Sequence, residues 1–214
     1  MVTGMIMEEE NYFAELDALR IDALREIGNI GAGNAATALA AMLNIRVDMN
    51  VPEVKVLNVG ELADNVGGPE NQVVGIIFSL RGDFKGLMMF ITEEKFAHLV
   101  LNVLMKKQFD RYEEFGEIEL SALKEVANIM VSSYVMAISK MTNMKISVSP
   151  PGISVDMAGA LLNVPAVEME KYGDKALFVR NGFFNGDNRV TSYLMLIPEA
   201  GYVNKIFQGL GMGL

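Results

Sequence analysis

Two stretches of this chain set out the same small group of polar side chains. Asp22, Glu26 and Asn29 stand four and three residues apart, and Ser121, Glu125 and Asn128 repeat the interval. On a helix, steps of four and three bring side chains onto one face, turn after turn. The residue types limit what such a stripe can do. A carboxamide has a donor and an acceptor but no useful basicity. Asn29 and Asn128 therefore make poor general bases, yet either can hold a water in line with an electrophile, as a glutamine does in small GTPases. A carboxylate one turn away can pair with a lysine on a partner and fix the docking register. A single copy reads better as a plain solvated helix face. Two copies need a further reason, because asparagine is a poor helix former and a mid-helix position gives it no capping work.

Little else in the chain offers chemistry. There is no cysteine, and His98 is the single histidine, present in one half alone. Ser–His and histidine–metal sites are therefore not expected. Ser121 and Lys124 fit S-x-x-K, but the position matching Ser121 in the other half is Asp22, and no S-D-N or K-T-G motif accompanies the pair.

The elements that must position these stripes come in two copies. With the sequence shifted by 99 residues, Ala23, Leu24, Glu26, Asn29 and Ile30 fall on Ala122, Leu123, Glu125, Asn128 and Ile129. Beyond them Asn44 meets Asn143 and Pro52 meets Pro151, and residues 87–104 resemble 193–210. The chain is expected to be one domain over 1–214 built of two repeats, about 13–107 and 113–211, related by a pseudo-two-fold axis. Helical spacing of Leu16, Leu19, Ile27 and Ile30, and of Leu120, Leu123, Ile129 and Met130, predicts long helices over about 13–43 and 116–142. Extended segments follow at 45–57 and 145–155, each ending near its proline. A turn-rich stretch occupies 61–72. Hairpins are expected at 73–82 with 86–92 and at 175–184 with 189–197, and a closing helix at 93–106. The second half carries a longer insert, 156–173, which reads as partly helical and broken at Pro165.

Gly31, Gly33 and Ala36 fit the dinucleotide fingerprint G-x-G-x-x-G/A. That motif should follow a strand and open a helix, whereas the residues before Gly31 are helical in pattern. The second repeat lacks the glycines yet keeps Glu125 and Asn128. Gly28, Gly31 and Gly33 are better read as small residues that let the helix lie close to its twin or to a sheet.

Composition narrows the partners. The net charge of −9 argues against a general nucleic-acid binder and suits a lysine-presenting protein partner. No stretch approaches the roughly 20 apolar residues that span a bilayer, and the amino terminus has no signal-peptide pattern. A cytoplasmic location is expected, without membrane insertion. Most of the 16 methionines should lie in the core, Met88 and Met89 in a strand and Met130, Met136 and Met141 in a helix.

Taken with the proline, each stripe reads [D/S]-x3-E-x2-N-x22-P: Asp22, Glu26, Asn29 and Pro52, then Ser121, Glu125, Asn128 and Pro151. This pattern resembles the signature of the CheC/CheX/FliY chemotaxis phosphatases, and two motifs in a chain this long resemble the CheC type. The resemblance implies an α/β fold, with a mainly antiparallel central sheet and two long motif helices on one side. It implies hydrolysis of the aspartyl phosphate on the response regulator CheY. The motif Glu would pair with the receiver's lysine and the Asn would place the attacking water. On this carry-over Glu26, Asn29, Glu125 and Asn128 are the catalytic residues, with Asp22 and Ser121 supporting and Pro52 and Pro151 structural. No cofactor of its own is implied, since the Mg2+ belongs to the receiver.

The resemblance further implies a partner, the receptor deamidase CheD, through an acidic residue after the second motif; Asp156 is the matching position. A plain helix N-cap is the competing reading of Asp156. The alternative to the phosphatase is an adaptor whose main role is CheD binding, and a flagellar switch component ranks third. The internal two-fold removes one reason to dimerise, so a monomer is expected.

Overall fold

The structure is a computed structural model and describes residues 18–109, 111–167, 175–186 and 188–213. Two helices dominate it: α1 (Ala18–Leu43) and α4 (Glu117–Thr142), each of 26 residues. The repeated asparagines end them. Asn44 and Asn143 take left-handed backbone angles, φ 51° and 57°, just past the last helical residue, a conformation that asparagine tolerates better than most side chains. At the other end of α4, Glu119 reaches back and accepts the Gly116 N–H at 3.0 Å, as the acid of a capping box does.

Among the described residues eight strands form one sheet, and every pairing is antiparallel. They are β1 (Asp48–Met49), β2 (Glu53–Asn58), β3 (Gln72–Gly82), β4 (Gly86–Thr92), β5 (Ile146–Val148), β6 (Gly152–Met157), β7 (Lys175–Asn185) and β8 (Asn188–Pro198). The hairpins β3–β4 and β7–β8 meet at the centre, where β4 pairs with β8. The halves then exchange partners. β1 and β2 of the first repeat pair with β7 of the second, while β5 and β6 of the second pair with β3 of the first.

Both outer strands are interrupted at the same place. Between Met49↔Phe183 and Glu53↔Arg180, three residues face two on β7. Between Val148↔Leu80 and Gly152↔Ile77, three again face two on β3. Each is a β-bulge on an edge strand, and Pro52 or Pro151 is its last residue. A proline is tolerated there because no ladder N–H is needed.

Period-two alternation splits the sheet residues between two cores. Val74, Ile76, Phe78, Met88, Phe90, Leu194 and Leu196 point to the side covered by α1, α4 and α3 (Glu94–Met105). Val73, Met89, Ile91, Phe178, Met195 and Ile197 point to the other. That second face is covered by a 3-10 turn at Val59–Glu61, the short helix α2 (Leu62–Asn65) and α5 (Ala158–Val167), through Val59, Leu62, Val66, Ala158 and Leu162. The stretch 61–72, expected to be turn-rich, also supplies part of a lid over the sheet. Full burial of one such aliphatic side chain stabilises by about 1.5–3 kcal/mol, enough to fold a polar-looking segment inward at Leu62. The insert is helical without a break at Pro165, since α5 continues to Val167; residues 168–174 lie outside the described part, as do residues 13–17 of the first predicted helix.

A final helix, α6 (Val203–Gly209), ties the helix pair together. The Arg20 guanidinium in the first turn of α1 stacks over Phe207 at 5.4 Å. Gly209 abuts Thr142 in the last turn of α4. The start of α1 therefore lies near the end of α4, and the two helices run antiparallel.

Candidate functional site

Each motif occupies the same place on its helix. Glu26 and Asn29 are the ninth and twelfth residues of α1, and Glu125 and Asn128 the ninth and twelfth of α4. The residues between and beside them turn inward: Leu24, Ile27, Gly28 and Ala32 on α1, and Leu123, Val126, Ala127 and Met130 on α4, are buried. That apolar packing fixes the rotation of each helix about its axis. Asp22, Glu26 and Asn29 are consequently exposed, as are Ser121 and Glu125, while Asn128 is half-buried.

Asp22 and Arg25 form an ion pair at 3.0 Å on the surface of α1. Such an exposed pair contributes little to stability, but it occupies the Asp22 carboxylate. Among the described residues no ion pair or hydrogen bond holds Glu26, Asn29, Glu125 or Asn128. Glu26, Asn29 and Glu125 are exposed and Asn128 is partly so, open to meet another molecule. Also among the described residues, no group of three His, Asp or Glu side chains is placed to hold a metal ion.

The two stripes sit on different ground. Beyond Asn29 the first stripe runs into an open cleft of about 580 Å3. Gly33, Thr37 and Ala40 form its floor, and Arg46, Asp48 and Phe184 its far wall. Arg46 grips Asp48 there through two contacts at 2.8 and 3.0 Å. On α4 the position matching Thr37 is Met136, which is 56% exposed. Met136 is thus a departure from the expected methionine core, unlike Met88, Met89 and Met130, which are buried. Leu19 is another: it supports the helical period, yet it is 64% exposed and lies on the polar face, as does its counterpart Ile118 at 73%. The shared three-four-three spacing of Leu19, Asp22, Glu26 and Asn29 and of Ile118, Ser121, Glu125 and Asn128 already held that signal.

The glycines explain how the helices approach. A side chain at Gly28 would meet Val54 Cγ2 of β2 at 2.8 Å, and one at Gly31 would meet the Tyr134 ring of α4 at 2.5 Å. Gly28 serves the sheet contact and Gly31 the contact with the twin helix; Gly33 faces open space. Beneath the pair, the Tyr134 hydroxyl donates to Asn181 Oδ1 of β7 at 2.5 Å. Burial pushes that hydroxyl far above the ordinary tyrosine range, the hydrogen bond to Asn181 opposing it in part.

Asp156 lies in β6, opposite Val73, and is exposed. Its carboxylate accepts the N–H of Met157 at 2.8 Å. It does not cap α5, whose first two N–H groups, from Ala158 and Gly159, go to the carbonyls of Asn71 and Pro69. The N-cap reading of Asp156 therefore fails, because the turn before β3 already satisfies the helix start.

The interlaced antiparallel sheet with two antiparallel helices on one face is a fold shared with solved chemotaxis and flagellar-switch proteins. FliY of Thermotoga maritima superposes with a TM-score of 0.73 at 22% identity, over 92% of this chain and 98% of that one. The FliM middle domain from H. pylori superposes at 0.66 with 14% identity, over 92% and 100%. A CheX from Borrelia burgdorferi, solved in complex with CheY, BeF3 and Mg2+, superposes at 0.52 with 18% identity, over 78% and 94%. These likenesses establish the fold.

The sequence model of the CheC-like family matches residues 19–56 and 118–155, the two motif segments with their prolines. The CheY-P phosphatase CheC of Bacillus subtilis is 34% identical over 91% of this chain and 95% of its own length. The flagellar motor switch phosphatase FliY of the same organism is 31% identical over 72% of this chain but only 40% of its own. This chain belongs to the CheC-like family. No helix among the described residues is long and apolar enough to cross a membrane.

Proposed function

We propose that this chain is a protein phosphatase that hydrolyses the aspartyl phosphate of CheY. The observation that carries the reading is the pair of solvent-accessible, unengaged Glu and Asn side chains at the ninth and twelfth positions of two equivalent helices. Membership beside a relative named as a CheY-P phosphatase supports it.

In this mechanism the Glu26 or Glu125 carboxylate meets the lysine beside the phosphoaspartate. The Asn29 or Asn128 amide, one turn further on, receives a water through its oxygen or nitrogen and aims it at phosphorus. The water oxygen bonds to phosphorus as the bond to the aspartyl oxygen breaks, giving inorganic phosphate and a free aspartate. Mg2+ held by the receiver would neutralise charge on the phosphoryl oxygens. This chain contributes position, and correct placement of a nucleophile is worth orders of magnitude in rate.

The test is phosphate release from phosphorylated CheY. Replacing Glu26 and Asn29 together, or Glu125 and Asn128 together, by alanine should each remove part of the activity; replacing all four should abolish it. Full activity in the fourfold variant would overturn the assignment. A second reading, a CheD-binding adaptor, is favoured by the exposure of Asp156 at the end of an edge strand.

A further inference from the structure

Six large apolar side chains stand out as strongly exposed among the described residues, and three of them, Leu19, Ile118 and Met136, lie on the two motif stripes. Leu19 and Ile118 occupy matched positions, two turns before Glu26 and Glu125. Met136 lies eight residues beyond Asn128, where the first stripe has Thr37. The second stripe is therefore bracketed: Ile118 at one end, Met136 at the other, and Glu125 and Asn128 between them. The 18 residue steps from Ile118 to Met136 span about 27 Å of helix, close to the width of a small domain. A large aliphatic side chain left in water at both copies of one position gains nothing for the fold. Buried beneath a partner it would form the apolar centre that protein interfaces require.

We infer that Ile118 and Met136 are the apolar contacts that hold the phosphorylated receiver over Glu125 and Asn128, and that this second stripe docks it more tightly than the first, which among the described residues offers Leu19 alone. The inference rests on the phosphatase reading and adds its recognition surface. Charge agrees with the choice of occupant. Exposed Glu113, Glu114 and Glu117 precede Ile118 within five residues, a setting that attracts a domain presenting lysine. Methionine suits the far end because its flexible thioether adapts to a partner's contour. On the first stripe the same place is a cleft floored by Thr37, which offers no apolar knob.

The experiment is a binding titration of the intact chain with CheY carrying beryllofluoride and Mg2+, a non-hydrolysable stand-in for the phosphoryl group. The parent should show a tighter and a weaker site. Ile118→Ser and Met136→Ser should each weaken the tighter site by about tenfold, the size expected for uncovering one aliphatic side chain. Ile118→Leu should bind as the parent does, and Leu19→Ser should weaken only the looser site. In phosphate release measured across a range of CheY concentrations, Ile118→Ser should keep its kcat while its KM rises. Parent-like binding by both serine variants, a larger loss from Leu19→Ser than from Ile118→Ser, or no binding by the parent would each overturn the inference. The Glu/Asn variants described above judge the phosphatase reading separately, since they are scored on chemistry.

Discussion

The ring of Tyr134 fills the space that a side chain at position 31 would need. A Cβ on Gly31 would stand 2.5 Å from the Tyr134 Cδ1 and 2.7 Å from its Cγ. Neither partner can give way easily. Tyr134 is 2% exposed, and its hydroxyl is anchored to Asn181 across the core. The close approach of α1 and α4, and so the relative placement of the two Glu–Asn stripes, depends on this one missing side chain.

Alanine scanning of the α1 glycines should therefore give opposite signs. Gly31→Ala should destabilise the fold by about 1–3 kcal/mol through overpacking, lowering the midpoint of urea unfolding. Gly33→Ala meets nothing within 4 Å and should stabilise it by up to about 1 kcal/mol, the helix propensity difference alone. Equal effects from the two would show that the helices can slide apart without cost.

The fold should also weaken in alkali. Burial is the main cause that holds the hydroxyls of Tyr112, Tyr134 and Tyr193 protonated well above the ordinary tyrosine range; at Tyr193 the hydrogen bond to Glu93 adds to it. In the unfolded chain these groups lose their protons near pH 10. Above that pH the unfolded state binds fewer protons than the folded one, so stability falls as pH rises. The contribution is intact below about pH 10 and is lost progressively above it. Tyr134→Phe should flatten this decline while costing about 1–3 kcal/mol at neutral pH, because Asn181 Nδ2 already makes no hydrogen bond and Oδ1 would lose its own. Urea midpoints of the two proteins across pH 8 to 11.5 would show whether the slopes differ as expected.

Much of this architecture is written in local pattern. The 99-residue repeat, the two long helices and both hairpins follow from apolar period and turn residues, and the asparagines at 44 and 143 mark the helix ends. The strand exchange between repeats is not legible, because pairing β2 with β7 is a long-range choice that no local pattern encodes. The bulges at Pro52 and Pro151 were hidden for the same reason: three residues facing two is a property of a pair of strands. Leu19 is ambiguous in sequence because its period matches the buried face while its angle places it among the polar residues. Only the rotation set by Leu24, Ile27 and Gly28 decides between those readings.

Asp156 offers a clean test of partner binding. It is exposed, and its carboxylate holds only the neighbouring Met157 N–H, so Asp156→Ala should leave thermal stability within about 0.5 kcal/mol of the parent. If CheD takes this residue into a buried, hydrogen-bonded pocket, the same change should weaken CheD binding by at least tenfold, since a buried charged contact is worth about 2–5 kcal/mol. Calorimetric titration of CheD into both proteins decides it; an unchanged affinity removes Asp156 from the interface and with it the main support for the adaptor reading.

Glu and Asn on each stripe should fail in different ways. The amide is asked to aim a water, which matters only as the bond to phosphorus forms. Asn29→Ala combined with Asn128→Ala should therefore lower kcat on the order of a hundredfold, the cost of a nucleophile misplaced by about 1 Å, with KM little changed. The carboxylate is asked to meet a cation on the partner before any bond changes. Glu26→Gln combined with Glu125→Gln should raise KM with a smaller loss in kcat. Because both carboxylates are exposed, that attraction is screened: raising salt from about 0.05 to 0.5 M should raise the parent's KM more steeply than the Gln variant's, which keeps only the attraction of the neighbouring acids. Steady-state phosphate release at several salt concentrations separates the cases. If the Asn variants lose binding and the Glu variants lose turnover, the roles are reversed, and the water must be held by the acid.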